Sequence, residues 1–357
     1  MLYSRPQERK ERGKLIMPRT SRAERKLAEA THEYLKNVAA TSPSPRTVTT
    51  YASTLTDFMN FFISGDENYK DPTYTTIAAW RDSLVERGLS PNTVRQYLVR
   101  LHMFFDFACD VTCGGWYSAN PVSKRFFPKT AREEARPYDP ILTDRQVMLL
   151  WRYDKAPGCR RETWPRNYAI VIMLLTTELR NAELLSLTPA DLDWEAGELI
   201  VERGKGNKFR RVEFPEIAQS AVRLYLASGL RPKDVPDTAP LFGTTSPKEF
   251  GARIRDSAWT RGSSQWLSGI VLRHVKAVTG VDNVRTHDLR HVGARLDLNS
   301  GMSQAELQSK LGHANPNTTQ IYSGRLLSRT GRKSAVLVRE EQEKQSDLIA
   351  NLLDSGA

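Results

Sequence analysis

Apolar positions recur every three or four residues in four stretches of the first 110 residues, the period of helices that turn one face inward. The first stretch opens at Ser21, where Ser21 and Glu24 have capping-box spacing ahead of a run to Val38. The second follows Ser44-Pro45 and sets Val48, Tyr51, Leu55, Phe58 and Phe62 on one face. A third runs from about Thr75 to Arg87 around Ile77, Trp80 and Leu84, with Gly88 placed to end it. Ser90-Pro91, in N-cap and N1 order, opens a fourth with the stripe Val94, Tyr97, Leu101, Phe104 and Ala108. Four amphipathic helices with short connections predict a small helical bundle over 21–120.

The stretch 121–140 holds four prolines and many charges without a steady apolar period, and reads as an interdomain linker. A second domain opens at Thr143, again with a capping pattern (Thr143 and Gln146), and the apolar helix from Tyr168 to Leu175 is its expected core. Residues 198–203 and 208–214 read as two β segments flanking Gly204-Lys205-Gly206-Asn207, a hairpin signal. Helical patterns resume at 215–228, 264–278, 287–299, 303–311 and 317–323. An amphipathic piece with Leu348, Ile349, Leu352 and Leu353 closes the chain. The predicted fold is therefore mainly α with a small antiparallel β-sheet, in two domains. The expected divisions are a basic arm over 1–20, helical domain 21–120, linker 121–140, second domain 141–330 and tail 331–357.

Charge narrows the partners. A net charge of +11 and a pI near 9.6 suit a polyanion, with DNA or RNA first and an acidic membrane surface second. The arm over 1–20 carries many Arg and Lys, which suits nonspecific phosphate contacts and equally suits a solvated terminus. No run of eighteen apolar residues offers a membrane span, and the N-terminus lacks a signal-peptide core, so a cytoplasmic protein is expected. The three cysteines, Cys109, Cys113 and Cys159, fit neither a disulfide framework nor a zinc site. Trp116, Trp151, Trp164, Trp194, His32 and His102 read as packing residues.

The candidate chemistry lies in the second domain. Of six histidines, His287, His291 and His313 fall in one short stretch, within His287-Asp-Leu-Arg-His291 and Leu311-Gly-His313. Tyr322 follows nine residues after His313. Upstream stand Arg180, with Glu183 one helical turn beyond it, and Lys205 on the hairpin turn. Transesterification at a phosphodiester concentrates negative charge on a five-coordinate phosphorus. Two guanidiniums can grip its nonbridging oxygens, a tyrosine can act as nucleophile once a base takes its proton, and a Lys or His can protonate the leaving alkoxide. No carboxylate pair or Cys/His ligand set is needed, so neither metal nor cofactor is expected.

Together, Glu178-Leu-Arg-Asn-Ala-Glu183, Gly204-Lys-Gly-Asn-Lys208, His287-Asp-Leu-Arg-His291, Leu311-Gly-His313 and Asn317-Thr-Thr-Gln-Ile-Tyr322 resemble the motifs of tyrosine recombinases of the phage-integrase type, in that family's order and at near-family spacing. The likeness covers about 140 to 330, and the N-terminal helices are similar to the family's core-binding domain. The resemblance implies a C-shaped DNA clamp that cuts and rejoins DNA. Arg180 and Arg290 would clamp the phosphate, Lys205 would protonate the 5′ oxygen, and His287 would act in acid–base catalysis. His313 would hydrogen-bond the phosphate and Tyr322 would form a 3′-phosphotyrosine. Glu183 and His291 would support the site, and Lys208 and Arg210 are candidate DNA contacts. The implied partners are duplex DNA with paired half-sites, further copies of the chain (a dimer on each site, a tetramer in the synapse) and accessory DNA-bending proteins. The implied outcome is integration, excision or resolution of a DNA element.

The tail residues Leu348, Ile349, Leu352 and Leu353 would reach a neighbouring protomer, or pack on their own domain. One departure stands out: the family's Thr-Gly-Leu-Arg pattern has Glu178 in place of its Gly, which is awkward if the backbone there is left-handed and which adds a carboxylate near a phosphate site. Two other readings remain, a DNA-binding accessory or regulatory protein without strand exchange and a type IB topoisomerase-like enzyme.

Overall fold

A computed structural model describes residues 21–42, 44–65, 70–128, 141–153, 163–201, 210–247, 257–312 and 329–355. The chain divides into two compact units, Met1–Glu134 and Ala135–Ala357. The arm over 1–20 lies outside the described residues.

The first unit is built where the apolar period predicts, from α1 (Arg22–Thr41), α2 (Pro45–Ser64), α3 (Tyr74–Glu86) and α4 (Pro91–Cys109). Ser21 and Glu24 form a reciprocal capping box at the start of α1, and Ser90 caps α4 ahead of Pro91. The inward stripes meet in one aromatic-rich core, in which Phe58 lies edge-on to Trp80 with centroids 5.2 Å apart and Phe104 edge-on to Phe105 at 4.9 Å. The Trp80 indole is buried, and its N–H donates to Asp57 at 3.1 Å, which also pairs with Arg87 at 2.9 Å. His102 is structural, its Nδ1 lying 3.0 Å from the Val122 carbonyl.

The expected linker needs correcting at its start. Val122 and Phe126 are buried in this first core, and the Phe126 ring lies 4.2 Å from that of Tyr74. Two apolar side chains there find a surface to cover, so the chain stays packed through a 3-10 turn at Lys124–Phe126. Residues 129–140 lie outside the described residues.

The second unit is organised around α6 (Trp164–Thr176), which follows α5 (Asp144–Trp151). Every residue from Tyr168 to Thr176 is buried, as expected of a helix apolar on all sides. Against it pack α8 (Glu216–Ala227), α9 (Ser264–Thr279) and α10 (Thr286–Asn299), with α7 (Asn181–Ser186) on α9 and α11 (Gln304–Leu311) on α10. The predicted hairpin forms as β2 (Glu198–Val201) and β3 (Arg210–Glu213), antiparallel with Leu199 opposite Val212 and Val201 opposite Arg210. A short β1 (Leu192–Asp193) completes this sheet. A second antiparallel pair, β4 (Gly243–Pro247) and β5 (Ser257–Arg261), was not expected, because its residues lack an apolar alternation. No helix among the described residues is long and apolar enough to cross a membrane.

The chain ends in α12 (Arg329–Asp354), which packs along α5, α8 and α10. Val338 and Ile349 enter the unit's core and Leu353 packs partly against it, whereas Leu348 is 41% exposed. Gln345 fastens the same face by accepting a hydrogen bond from the Tyr153 amide at 3.2 Å. Ile349 and Leu353 thus take the second of the two expected roles, packing on their own unit. Ile349→Ala is expected to cost about 2–5 kcal/mol through the cavity it leaves, and Leu348→Ala less than about 1 kcal/mol. Denaturant unfolding of the full chain measures both; a small, equal effect at the two positions would contradict this docking.

Candidate active site

Three segments distant in sequence meet at the end of α11. The left-handed Gly312 (φ 61°) terminates that helix, leaving its last carbonyls without helical partners. Arg180, at the N-cap of α7, donates from Nη2 to the Gly312 carbonyl at 3.2 Å. Arg290, in the second turn of α10, donates from Nη2 to the Leu311 carbonyl at 2.7 Å and from Nη1 to the Glu178 carbonyl. Arg290 is 1% exposed, whereas the Arg180 side chain is 30% exposed. Two of the predicted clamp residues therefore converge on residues 311–312, directly before position 313.

Glu183 organises one side of this convergence. Its carboxylate is 1% exposed and accepts four hydrogen bonds: from the Arg180 amide at 2.8 Å, from Arg180 Nη1 at 2.9 Å, and from both terminal nitrogens of Arg210 at 2.9 Å each. Burial alone would push this carboxyl up; the Arg210 and Arg180 hydrogen bonds outweigh burial and hold it at about 2. Arg210, a candidate DNA contact in the sequence, is thereby an internal partner of Glu183. It sits on β3 opposite Val201, turns its paired donors onto a buried acid, and is 14% exposed. Gly312 also accommodates it, since a Cβ there would lie 3.2 Å from Arg210 Nη1.

Glu178 does adopt the left-handed backbone (φ 52°) that the sequence pattern suggested, a conformation that usually favours glycine. Its carboxylate does not lie at the surface. It is fully buried, with Lys310 Nζ 3.3 Å from Oε1, and Lys310 also pairs with Asp297. Gly293 makes the room: a Cβ there would lie 2.2 Å from the Leu175 carbonyl and 2.9 Å from Glu178 Cγ. Burial, then the neighbouring Asp297, pushes the Glu178 carboxyl well above the carboxylate range, against the pull of Lys310. The Lys310 ammonium is held charged by Glu178 and Asp297 despite its own burial. Two acids and one ammonium thus form one buried cluster.

His287 and His291 stand one turn apart on α10 with ring centroids 4.4 Å apart. Burial first, then the Arg290 charge, lowers His287; burial and His287 lower His291 to about 4. Both shifts favour the neutral ring. Lys205, Lys208, His313 and Tyr322 fall in 202–209 and 313–328, outside the described residues. Sequence reasoning missed Lys310, Asp297 and Gly293. The one available signal was Glu178 itself, an acid in an apolar run that calls for a buried partner. Among the described residues no group of acids, histidines and cysteines could hold a metal ion.

Residues 141–326 match the phage integrase family, and residues 32–110 match the phage integrase N-terminal SAM-like domain. The chain is 30% identical over 257 residues to the tyrosine recombinase XerC of Corynebacterium glutamicum, covering 72% of this chain and 74% of that protein. It is 28% identical over 285 residues to the tyrosine recombinase XerD of Caulobacter vibrioides, covering 78% and 85%. Its fold is similar to that of the XerH site-specific recombinase in a post-cleavage complex with palindromic difH substrate, with TM-score 0.64 and 21% identity over 90% of this chain and 91% of that one. It is also similar to a lambda integrase dimer bound to a core site, with TM-score 0.59 and 19% identity over 84% and 96%.

The Glu183 arrangement has a pH consequence. Its carboxyl lies below its ordinary 4.5, so the stabilisation is present in full above about 4.5 and fades as pH falls towards 2. The stability gap between the parent and Glu183→Gln is expected to be about 3 kcal/mol at pH 7 and to shrink through that window. Denaturant unfolding across a pH series measures it; a gap independent of pH would contradict the account.

Proposed function

The chain belongs to the phage integrase family and is a tyrosine site-specific recombinase, and from that premise we propose that it cuts and rejoins duplex DNA through a 3′-phosphotyrosine at Tyr322. The observation that carries this reading is the convergence of Arg180 and Arg290 on the Gly312 and Leu311 carbonyls, the two residues before His313. Two guanidiniums so fixed can bind the nonbridging oxygens of one phosphate and stabilise the charge that grows there.

In the proposed reaction the Tyr322 oxygen attacks phosphorus and the bond to the 5′ oxygen breaks. His287, whose shift favours the neutral ring, takes the phenol proton, and Lys205 gives a proton to the departing 5′ oxygen. His313 adds a hydrogen bond to the phosphate. A 5′ hydroxyl from the partner strand then attacks the phosphotyrosine, and Tyr322 leaves. One phosphoester replaces another at each step, so no external energy source or metal is required. Glu183 acts by holding Arg180 in place, and Lys208 is a phosphate contact. DNA sites made of paired half-sites, a tetramer of the chain across two such sites, and accessory DNA-bending proteins complete the reading. The neighbours bound to difH and to a core site support a DNA partner.

The test is covalent trapping. The protein is incubated with nicked duplexes tiled from the DNA flanking its own gene, with chelator present, and resolved on a denaturing gel. A DNA-linked band that disappears in Tyr322→Phe is expected. A tile bound at a defined site without any adduct, even with partner proteins added, would favour the accessory-protein reading. On a productive duplex, Arg180→Lys and Arg290→Lys are each expected to slow adduct formation by roughly 10²–10³-fold, the scale of one lost transition-state donor. A rate within about threefold of the parent for either would remove that residue from the clamp.

A further inference from the structure

Arg290 is held by two backbone carbonyls, those of Glu178 and Leu311, which lie on separate segments. The same two segments are tied a second time. Glu178 lends its side chain, and Lys310, next to Leu311, reaches Glu178 Oε1 at 3.3 Å. Asp297, two turns beyond Arg290 on α10, completes the tie by pairing with Lys310. Every element that seats Arg290 therefore also contributes one member of a buried charge cluster. Lys310 is only 9% exposed, Glu178 is not exposed, and Gly293 leaves the space the Glu178 side chain needs. A cluster serving stability alone would have no reason to join those particular segments, and well-packed apolar residues generally do that task as well or better.

We propose that Glu178, Lys310 and Asp297 are positioning residues for catalysis, fixing the two carbonyls that aim the Arg290 guanidinium at the phosphate. The inference rests on the phosphate-clamp reading given above. Without the Lys310 ammonium the two acids lose their shared counter-charge, the 178 turn and the end of α11 separate, and Arg290 loses its register. Misplacing a clamp group by about 1 Å costs up to roughly a hundredfold in rate, while contacts to DNA elsewhere persist. The effect therefore falls on the chemical step and not on binding.

The experiment compares the parent, Lys310→Met and Lys310→Arg on the productive nicked duplex. Adduct formation is followed at saturating protein, well below each variant's Tm, and DNA affinity is measured separately. Lys310→Met is expected to slow cleavage by about tenfold to a hundredfold with affinity within about twofold of the parent, and Lys310→Arg to return to within about threefold. A merely structural cluster would lower the Tm of Lys310→Met and leave its cleavage rate at the parent value, which would overturn the inference. If Lys310→Met does not fold, Asp297→Asn replaces it, since Asp297 is 24% exposed and its loss is milder. Slowed cleavage of about threefold or more at unchanged affinity is then expected, and the parent rate would overturn the inference. Absence of any adduct from the parent would instead overturn the clamp reading, and this inference with it.

Discussion

A helix that stops leaves its last carbonyls without partners, and in this chain the end of α11 is completed by arginines from elsewhere in the fold. Arg180 takes the Gly312 carbonyl and Arg290 takes that of Leu311. That requirement brings together segments more than a hundred residues apart, and it fixes the backbone entering position 313. The same two arginines are the cations the chemistry needs, so the hydrogen bonds that finish a helix also gather the proposed phosphate clamp.

Buried charge is the recurring cost of this arrangement. Each arginine arrives with an acid nearby, and the acids are treated differently. Glu183 is surrounded by donors from Arg180 and Arg210 and stays ionised. Glu178 shares a single ammonium with Asp297, and burial pushes its carboxyl well above the carboxylate range. The acids beside the two arginines thus lie in the interior, each matched to a cation. Burial, with the Arg290 charge adding to it, lowers both His287 and His291 on α10.

Much of this was legible in the sequence. The four N-terminal helices follow from their apolar period and from Ser21 and Ser90 in capping positions, and α5 from Thr143, because these are local properties. The candidate site residues were chosen because their chemistry is joint; among the described ones Arg180, Glu183 and Arg290 meet at the end of α11. What escaped was long-range. The β4–β5 pair lacks an alternation, Phe126 joins the first core only because Tyr74 is there to receive it, and Arg210 looked like a surface cation until β3 turned it towards Glu183. The partnership of Glu178 with Lys310 spans 132 positions, and no local pattern encodes it. Its only trace was an acid where the backbone asks for glycine.

In the proposed reaction Arg180 and Arg290 hold one scissile phosphate beside the end of α11. A structure of Tyr322→Phe bound to its uncleaved site tests it most directly. The account predicts the scissile phosphate within hydrogen-bond reach, about 3 Å, of both guanidiniums, with Glu183 still bridging Arg180 and Arg210. A phosphate seated away from either arginine, or one that drew Arg210 off Glu183 to meet it, would contradict it.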